Sequence, residues 1–314
     1  MEPLFLKPLF MYRIWGGSEL KNKFNYDIPS DNTGECWAIS SHENGDCEIQ
    51  NGKYKGKTLS RVWNENRELF GNIEGEKFPL LTKILDANDN LSVQVHPDDK
   101  YAKVNENGEL GKTECWYIID CDDNAEMIFG HNAKNKEELQ KMIENDEWDN
   151  LLRKVKIKKG DFFYVPSGTI HALCKGTLVL ETQQNSDTTY RVYDYDRVDN
   201  NGNKRELHVQ KSIDVSTVPH IEGDNTYSVV SKDTYKCTTF ICNEFFSVHK
   251  LDIFGECKFT HDKPFTLYSV LEGSGKIHLD SREYLLNKGA NFILPFGIED
   301  FKIEGNMEII CSHI

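Results

Sequence analysis

The feature that most constrains this chain is a spacing that it carries twice. Gly160-DFFYV-Pro166-Ser-Gly168-Thr-Ile-His171 and Gly289-ANFIL-Pro295-Phe-Gly297-Ile-Glu-Asp300 share the frame Gly-x5-Pro-x-Gly-x2, closed by His in the first copy and Asp in the second. Glycine opens a turn, five residues cross a sheet, and proline with glycine then bends the chain so that the next side chain is aimed inward. Recurrence of such a unit predicts two related β-structures in one chain. The intervening sequence agrees, because most of it reads as short strands between Gly, Asn and Asp turns: KFPLLTKIL, NLSVQVH, ECWYIID, AEMIFGH, KVKIKKGDFFYVP, GTLVLETQQ, FFSVHKLDIF, FTLYSVLEGSGKIHL and FILP. Many strands with regular turn signals indicate a sandwich or a barrel. Helical spacing is confined to residues 57–71, 97–107, 135–154 and 205–215. A boundary is expected in STVPHIEGDNTYS, residues 216–228, after which pure strand pattern resumes.

The repeated frame resembles the second motif of the cupins. That resemblance implies a mainly β protein: two tandem double-stranded β-helix (jelly-roll) domains, with a few helices inserted in or near the first. The expected division is a metal-binding catalytic domain over residues 1–220 and a degenerate C-terminal domain over residues 221–314. Cupins usually place Asn four positions after the histidine, where this chain has Lys175; that position is not a ligand, so the fold expectation stands. With Asp300 in place of a histidine, the second copy is expected to pack and not to bind metal. Its run LEGSGKIHL reads as an ordinary hairpin.

The chemistry-bearing residues stand out against the strand pattern. In LSVQVHPDD, residues 91–99, Leu91, Val93 and Val95 alternate with Ser92, Gln94 and His96, so Gln94 and His96 share one strand face. Pro97 keeps His96 extended at the strand end. Glu114 opens the apolar strand ECWYIID, where an inward carboxylate is costly unless a cation neutralises it. His171 ends the first copy of the repeated frame. Gln94, His96, Glu114 and His171 form a nitrogen and oxygen donor set without thiolate, which suits Zn2+, with Mn, Fe, Co or Ni as alternatives. Two histidines and one acid also describe an iron facial triad, so the donors alone leave the metal open.

Several segments taken together resemble the short bacterial type I mannose-6-phosphate isomerases: RIWGG (13–17), TGECWAIS (33–40), LTKILDA (81–87), LSVQVHPDD, GKTECWY (111–117), VPSGTIHAL (165–173) and NSDTTYRVYDYDR (185–197). They follow the family's order over most of the first two-thirds of the chain. The resemblance implies a zinc enzyme that interconverts mannose 6-phosphate and fructose 6-phosphate through an enediolate, with one Zn2+ on Gln94, His96, Glu114 and His171. It also carries over Lys83, Lys112, Asp187 and Arg191 as active-site positions. Lys83 lies in a mostly apolar strand, Lys112 stands two residues before Glu114, and Asp187 and Arg191 are four residues apart. Lys112 or Asp187 is expected to handle the C1–C2 proton and the ring oxygen, and Arg191 to hold substrate oxygens or charge.

Composition narrows the partners. With 37 basic against 51 acidic residues and a net charge of −14, nucleic acid and anionic membrane surfaces are disfavoured as partners. An anionic sugar phosphate then requires a few Lys and Arg to converge locally. The nine cysteines include no C-x-x-C pair and sit largely in strand-like runs, as expected for reduced thiols in the cytoplasm. The N-terminal run is broken by Pro3, Lys7, Pro8 and Arg13 and does not read as a signal peptide, and no stretch approaches a membrane span. Oligomeric state is not legible. Two other functions fit parts of the pattern: an Fe(II) cupin oxygenase on the same ligands, and a non-catalytic sugar-binding module. The Lys, Asp and Arg set beside the ligands favours the isomerase over both.

Overall fold

A computed structural model of the chain describes residues 1–198, 201–223 and 226–314. Its centre is a six-stranded antiparallel sheet in the order Phe162–Val165, Glu114–Cys121, Thr177–Gln184, Leu80–Ala87, Thr33–Ile39 and Leu9–Gly17. The strands Leu80–Ala87 and Thr177–Gln184 are buried along their whole length. Such continuous burial arises when both faces of a sheet are covered. One face packs through Trp15, Leu85, Trp116, Ile118 and Val179 on a five-stranded sheet that contributes Met127 and Leu173. The opposite face packs through Cys36, Ile84, Tyr117 and Leu180 on Phe240, Phe246, Phe265 and Leu267 of the C-terminal sheet.

The five-stranded sheet runs Leu152–Lys156, Glu126–His131, His171–Leu173, Val93–Val95 and Tyr190–Tyr193. Its outer face is covered by Leu139 and Ile143 of the helix Lys136–Glu144 and Ile213 of the helix Val209–Val215. These two sheets make the first jelly roll. A ten-stranded sheet makes the second, closed around Leu251, Tyr268, Ile277, Leu286, Phe292, Ile303 and Ile309. The fold is therefore mainly β, with two jelly rolls packed sheet to sheet.

The four predicted helical stretches each contain a helix: Leu59–Glu65, Asp99–Asn105, Lys136–Glu144 and Val209–Val215. Asp98 caps the second of these by accepting the Tyr101 N–H at 2.8 Å. Two features depart from the sequence reading. LEGSGKIHL is not a hairpin of its own: it is the second half of the single strand Phe265–Leu279, which turns at Asp280 (φ 52°) and returns as Arg282–Asn287. Gly273 and Gly275 serve close approach, since a Cβ on either would lie about 2 Å from the carbonyl oxygens of Asn306 and Glu304 on the strand Asp300–His313. The other departure is at the N-terminus, where Leu4–Lys7 pairs antiparallel with Asn291–Pro295 and so belongs to the C-terminal sheet.

Candidate active site

The two sheets of the first jelly roll bring the predicted ligands to one point. Gln94 and His171 face each other in register on neighbouring strands, and Arg191 registers with Gln94 from the other side. Glu114 arrives from the central sheet, registered with Val165 just before the Pro166 bend. The Gly168 N–H donates to the His96 carbonyl at 2.8 Å, which ties the bend to the end of the QVH strand.

His96, Glu114 and His171 are all fully buried, with ligand atoms within 4.8 Å of one another. Glu114 Oε2 is 3.4 Å from His96 Nε2, and Oε1 is 3.2 Å from His171 Nε2. Each imidazole donates its other nitrogen's proton to a main-chain carbonyl, His96 Nδ1 to Thr188 at 2.9 Å and His171 Nδ1 to Thr169 at 2.8 Å. Both Nε2 atoms therefore direct lone pairs toward the carboxylate. Apart from the Lys112 ammonium beside Glu114 Oε2, neither Glu114 oxygen nor His96 Nε2 has a hydrogen-bond partner among the described residues. Buried acceptors facing each other without a proton between them are stable only around a cation. The donors, their tautomers and their separations fit a divalent metal. The Gln94 amide lies beside them, its Nε2 3.3 Å from His171 Nε2, and a half-turn of the amide would present oxygen there.

Charge on the group is biased the same way. Burial, and then the nearby Lys112 ammonium, push His96 well below the usual imidazole range, which keeps it neutral. For Glu114, burial alone would raise the pKa, but Lys112 and the two imidazoles outweigh it and hold the carboxyl well below its ordinary value. Lys112, itself buried, places Nζ 3.2 Å from Glu114 Oε2.

Above this group opens a cleft of about 440 Å3, lined among others by Gln94, Lys83, Lys112, Asp187 and Arg191. Lys83 is 3% exposed and sits among three carboxylates: Asp187 at 3.6 Å, Glu181 at 3.8 Å and Glu35 at 4.0 Å. Its Nζ also lies 4.7 Å from the Trp37 ring centroid. Burial would raise Asp187, yet Lys83 and then Lys112 hold it below the ordinary carboxylate range. Asn44 Nδ2 also donates to Asp187, at 3.2 Å. Arg191 does not pair with Asp194 or Asp196; its Nη1 donates to the Glu206 carbonyl at 2.8 Å.

All eight residues singled out from the sequence thus lie in or beside one site. Three further residues complete it. Glu181 registers with Lys83 across the central sheet and accepts from Trp116 Nε1 at 3.0 Å; burial, then the Glu114 charge, push it up to about 7. Glu35 accepts from Trp37 Nε1 at 2.7 Å and from Arg13 through two bonds. Arg205 lines the cleft wall beside Arg191. A charged residue inside a strand that is otherwise apolar, the signal that marked Glu114, also marks Glu181 in TLVLETQQ.

The model for "Phosphomannose isomerase type I, catalytic domain" matches residues 4–129, and that for "Mannose-6-phosphate isomerase, cupin domain" matches residues 236–314. Mannose-6-phosphate isomerase ManA of Bacillus subtilis is 57% identical over 313 residues, covering 100% of this chain and 99% of the relative. Mannose-6-phosphate isomerase of Streptococcus mutans is 53% identical, covering 99% of this chain and 98% of the relative. The crystal structure of the mannose 6-phosphate isomerase from Bacillus subtilis superposes with a TM-score of 0.99 at 56% identity, over 100% of both chains. A point mutant of phosphomannose isomerase from Salmonella typhimurium, at 15% identity over 100% of this chain and 99% of that one, shares the fold with a TM-score of 0.81.

Proposed function

The chain belongs to the type I mannose-6-phosphate isomerases, and from that premise we propose that its reaction is carried by the His96–Glu114–His171 group together with the cleft above it. The reaction interconverts mannose 6-phosphate and fructose 6-phosphate. It opens the sugar ring, removes the proton on C2 to leave an enediolate, and returns a proton to C1, with one hydroxyl oxidised and one carbonyl reduced inside the same molecule. The observation that carries this reading is the juxtaposition of a buried metal-competent group with a lysine caged by three carboxylates, all open to one cleft.

Gln94, His96, Glu114 and His171 would hold the metal, and we assign it as Zn2+ on the strength of two imidazoles, a carboxylate and an amide. The bound cation supplies the electrophilic charge that stabilises an oxyanion developing beside a carbonyl. Asp187, held ionised and 31% exposed at its side chain, is the group placed to take the C2 proton and deliver it to C1, with Lys83 at 3.6 Å balancing its charge. Lys112 stays an ammonium, because Glu114 and its other acidic neighbours outweigh the burial that opposes it, and it hydrogen-bonds the sugar oxygen that gains negative charge. Arg191 fixes the substrate at the cleft wall. Residues 1–220 act as the catalytic unit, with 221–314 as its support.

All nine cysteines are free, which supports a cytoplasmic enzyme, and among the described residues no helix is long and apolar enough to cross a membrane. The deciding assay couples mannose 6-phosphate turnover to detection of fructose 6-phosphate, with and without chelator. Turnover that chelator abolishes and Zn2+ restores is expected. No turnover after reconstitution with zinc, manganese or cobalt would sink the reading.

A further inference from the structure

A carboxylate that takes a proton from one carbon and gives it to the next must face both, so its rotamer matters as much as its charge. Asp187 has few contacts that could set that rotamer. It lies in the loop between the strands Thr177–Gln184 and Tyr190–Tyr193, with its side chain 31% exposed. Lys83 Nζ stands 3.6 Å from Oδ1, which is ion-pair distance and too long for a hydrogen bond. Lys112 and Arg13 add positive charge, yet their donors go to Glu114 and Glu35. Among the described residues, the one hydrogen bond to the Asp187 carboxylate comes from Asn44, whose Nδ2 donates to Oδ2 at 3.2 Å. A carboxylate can only accept, so the amide must present its nitrogen.

Asn44 reaches the cleft from a separate element. Ser41–His42 and Gly45–Asp46 pair as a short hairpin, with Glu43 and Asn44 as its two-residue turn. Both turn residues are exposed, but the turn is held from inside. His42 is 5% exposed, and its Nδ1 accepts the Asn44 N–H at 3.1 Å. The His42 N–H donates to Ser40 Oγ at 3.2 Å, and that hydroxyl donates to the Gly45 carbonyl. The imidazole meets the Trp37 ring edge-on, with centroids 5.8 Å apart and planes at 78°. Gly45 runs so close to the same indole that a Cβ there would lie 2.8 Å from it. Trp37 is also the ring below Lys83 Nζ. One buried indole therefore supports both partners of Asp187: Lys83 beside Oδ1 and, through the hairpin, Asn44 on Oδ2.

We propose that Asn44 is a positioning residue: its amide holds the Asp187 carboxylate in the rotamer that serves C1 and C2, and His42 against Trp37 holds Asn44. An ionised carboxylate has about four acceptor sites, so one bond from Asn44 leaves others free for the substrate's proton. The role rests on the reading of Asp187 as the proton carrier.

Steady-state kinetics of Asn44→Ala and Asn44→Asp in the metal-loaded enzyme test it. In Asn44→Ala, kcat for mannose 6-phosphate should fall by about 10-fold, the loss of one hydrogen bond to a charged group, while KM stays within about threefold. Asn44→Asp keeps the shape but removes the donor and sets a like charge beside Asp187, so kcat should fall further, by about 100-fold. With mannose 6-phosphate deuterated at C2, the isotope effect on kcat should rise in both variants, because proton transfer becomes the slower step. Metal content and Tm should hold. Glu43→Ala, the neighbour in the turn, should match the wild type. Wild-type kcat in Asn44→Asp would overturn the role, since shape alone would then suffice. So would an equal loss in Glu43→Ala, which would assign the effect to the hairpin backbone, or a lowered kcat with an unchanged isotope effect. Asp187→Asn separates this role from the reading beneath it. Turnover near wild type in that variant defeats the proton-carrier assignment and the role of Asn44 with it. Lost turnover there, with wild-type rates in both Asn44 variants, overturns the role of Asn44 alone.

Discussion

At Gly160–His171 and again at Gly289–Asp300 the backbone follows one path. The two glycines of the first copy have φ of 87° and 84°, those of the second 86° and 87°. In each, the residue before proline registers with a neighbouring strand: Val165 with Glu114, and Leu294 with Thr266. In each, the closing residue registers with a strand that arrives from elsewhere: His171 with Gln94, and Asp300 with Thr260. Yet His171 is fully buried against a carboxylate, whereas Asp300 is exposed and accepts a hydrogen bond from the Thr260 hydroxyl at 3.1 Å. Two residues before Glu114 stands Lys112; two residues before Thr266 stands Pro264. The shared spacing therefore specifies a bend, and the residues delivered to that bend by other strands decide whether it becomes a metal site.

The sharpest way to break this comparison is to remove the closing residue from each copy. His171→Ala and Glu114→Ala should each lose bound metal, with affinity falling by more than the 10–100-fold typical of outer partners, and turnover should vanish with it. Asp300→Ala should keep full metal content and rate. Elemental analysis and the coupled assay read both. Stoichiometric metal and full rate in both His171→Ala and Glu114→Ala would mean that the ligand assignment is wrong.

Lys112 sharpens the same contrast by separating metal binding from chemistry. Lys112→Ala should retain metal while kcat falls by about 10^2–10^4-fold, the span for a lost proton-handling or charge-stabilising group. Turnover at the wild-type rate would return Lys112 to a charge partner of Glu114.

Much of this contrast is legible in the sequence alone, because its signals are local. Gln94 and His96 share a strand face by alternation, Glu114 interrupts an apolar strand, and His171 follows a Pro-x-Gly bend. The unread parts depend on long-range packing. LLTKILDA and TLVLETQQ announce burial on both faces but not that the C-terminal sheet supplies the second cover, so Lys83 facing Glu181 had no visible counterpart. Leu4–Lys7 pairs with residues near the opposite end of the chain, a register that no short-range pattern encodes. The helix Glu19–Phe24 is only six residues long and is started by Asp86, whose Oδ2 accepts the Glu19 N–H at 2.7 Å from another strand. Gly273 and Gly275 looked like a turn because glycine is permissive in both settings, and only the neighbouring strand shows which one applies.

The glycines of the bend offer a smaller effect. Both Gly168 and Gly297 sit at positive φ, so alanine pays about 1 kcal/mol of left-handed strain at either. At Gly168 the added Cβ would also lie 2.9 Å from the Val215 carbonyl and 2.5 Å from Thr217 Oγ1, whereas at Gly297 it meets only the flexible Met1 side chain, at 3.3 Å. Gly168→Ala should therefore cost about 2–3 kcal/mol and weaken metal binding, and Gly297→Ala about 1 kcal/mol with metal unaffected. Denaturant unfolding with metal analysis checks the order. Equal costs would mean that the first bend can relax freely around the new methyl group.

The smallest effect concerns acid. The second jelly roll holds an imidazole pair, His249 Nε2 lying 3.2 Å from His313 Nε2 with the rings stacked. Burial, and then the charge that His313 and Lys263 would present, push His249 down to about 4. In the unfolded chain the same ring takes up its proton near 6.5, so over this window the unfolded state binds more protons than the folded one. Stability from this group is thus full above about pH 6.5 and is lost progressively as the pH falls toward 4. His249→Gln, which cannot titrate, should flatten the fall in unfolding free energy between those limits while leaving metal content and turnover at neutral pH unchanged. A slope identical to the wild type would place the acid sensitivity on other imidazoles that burial pushes down, among them His96 in the first jelly roll and His261 and His313 in the second.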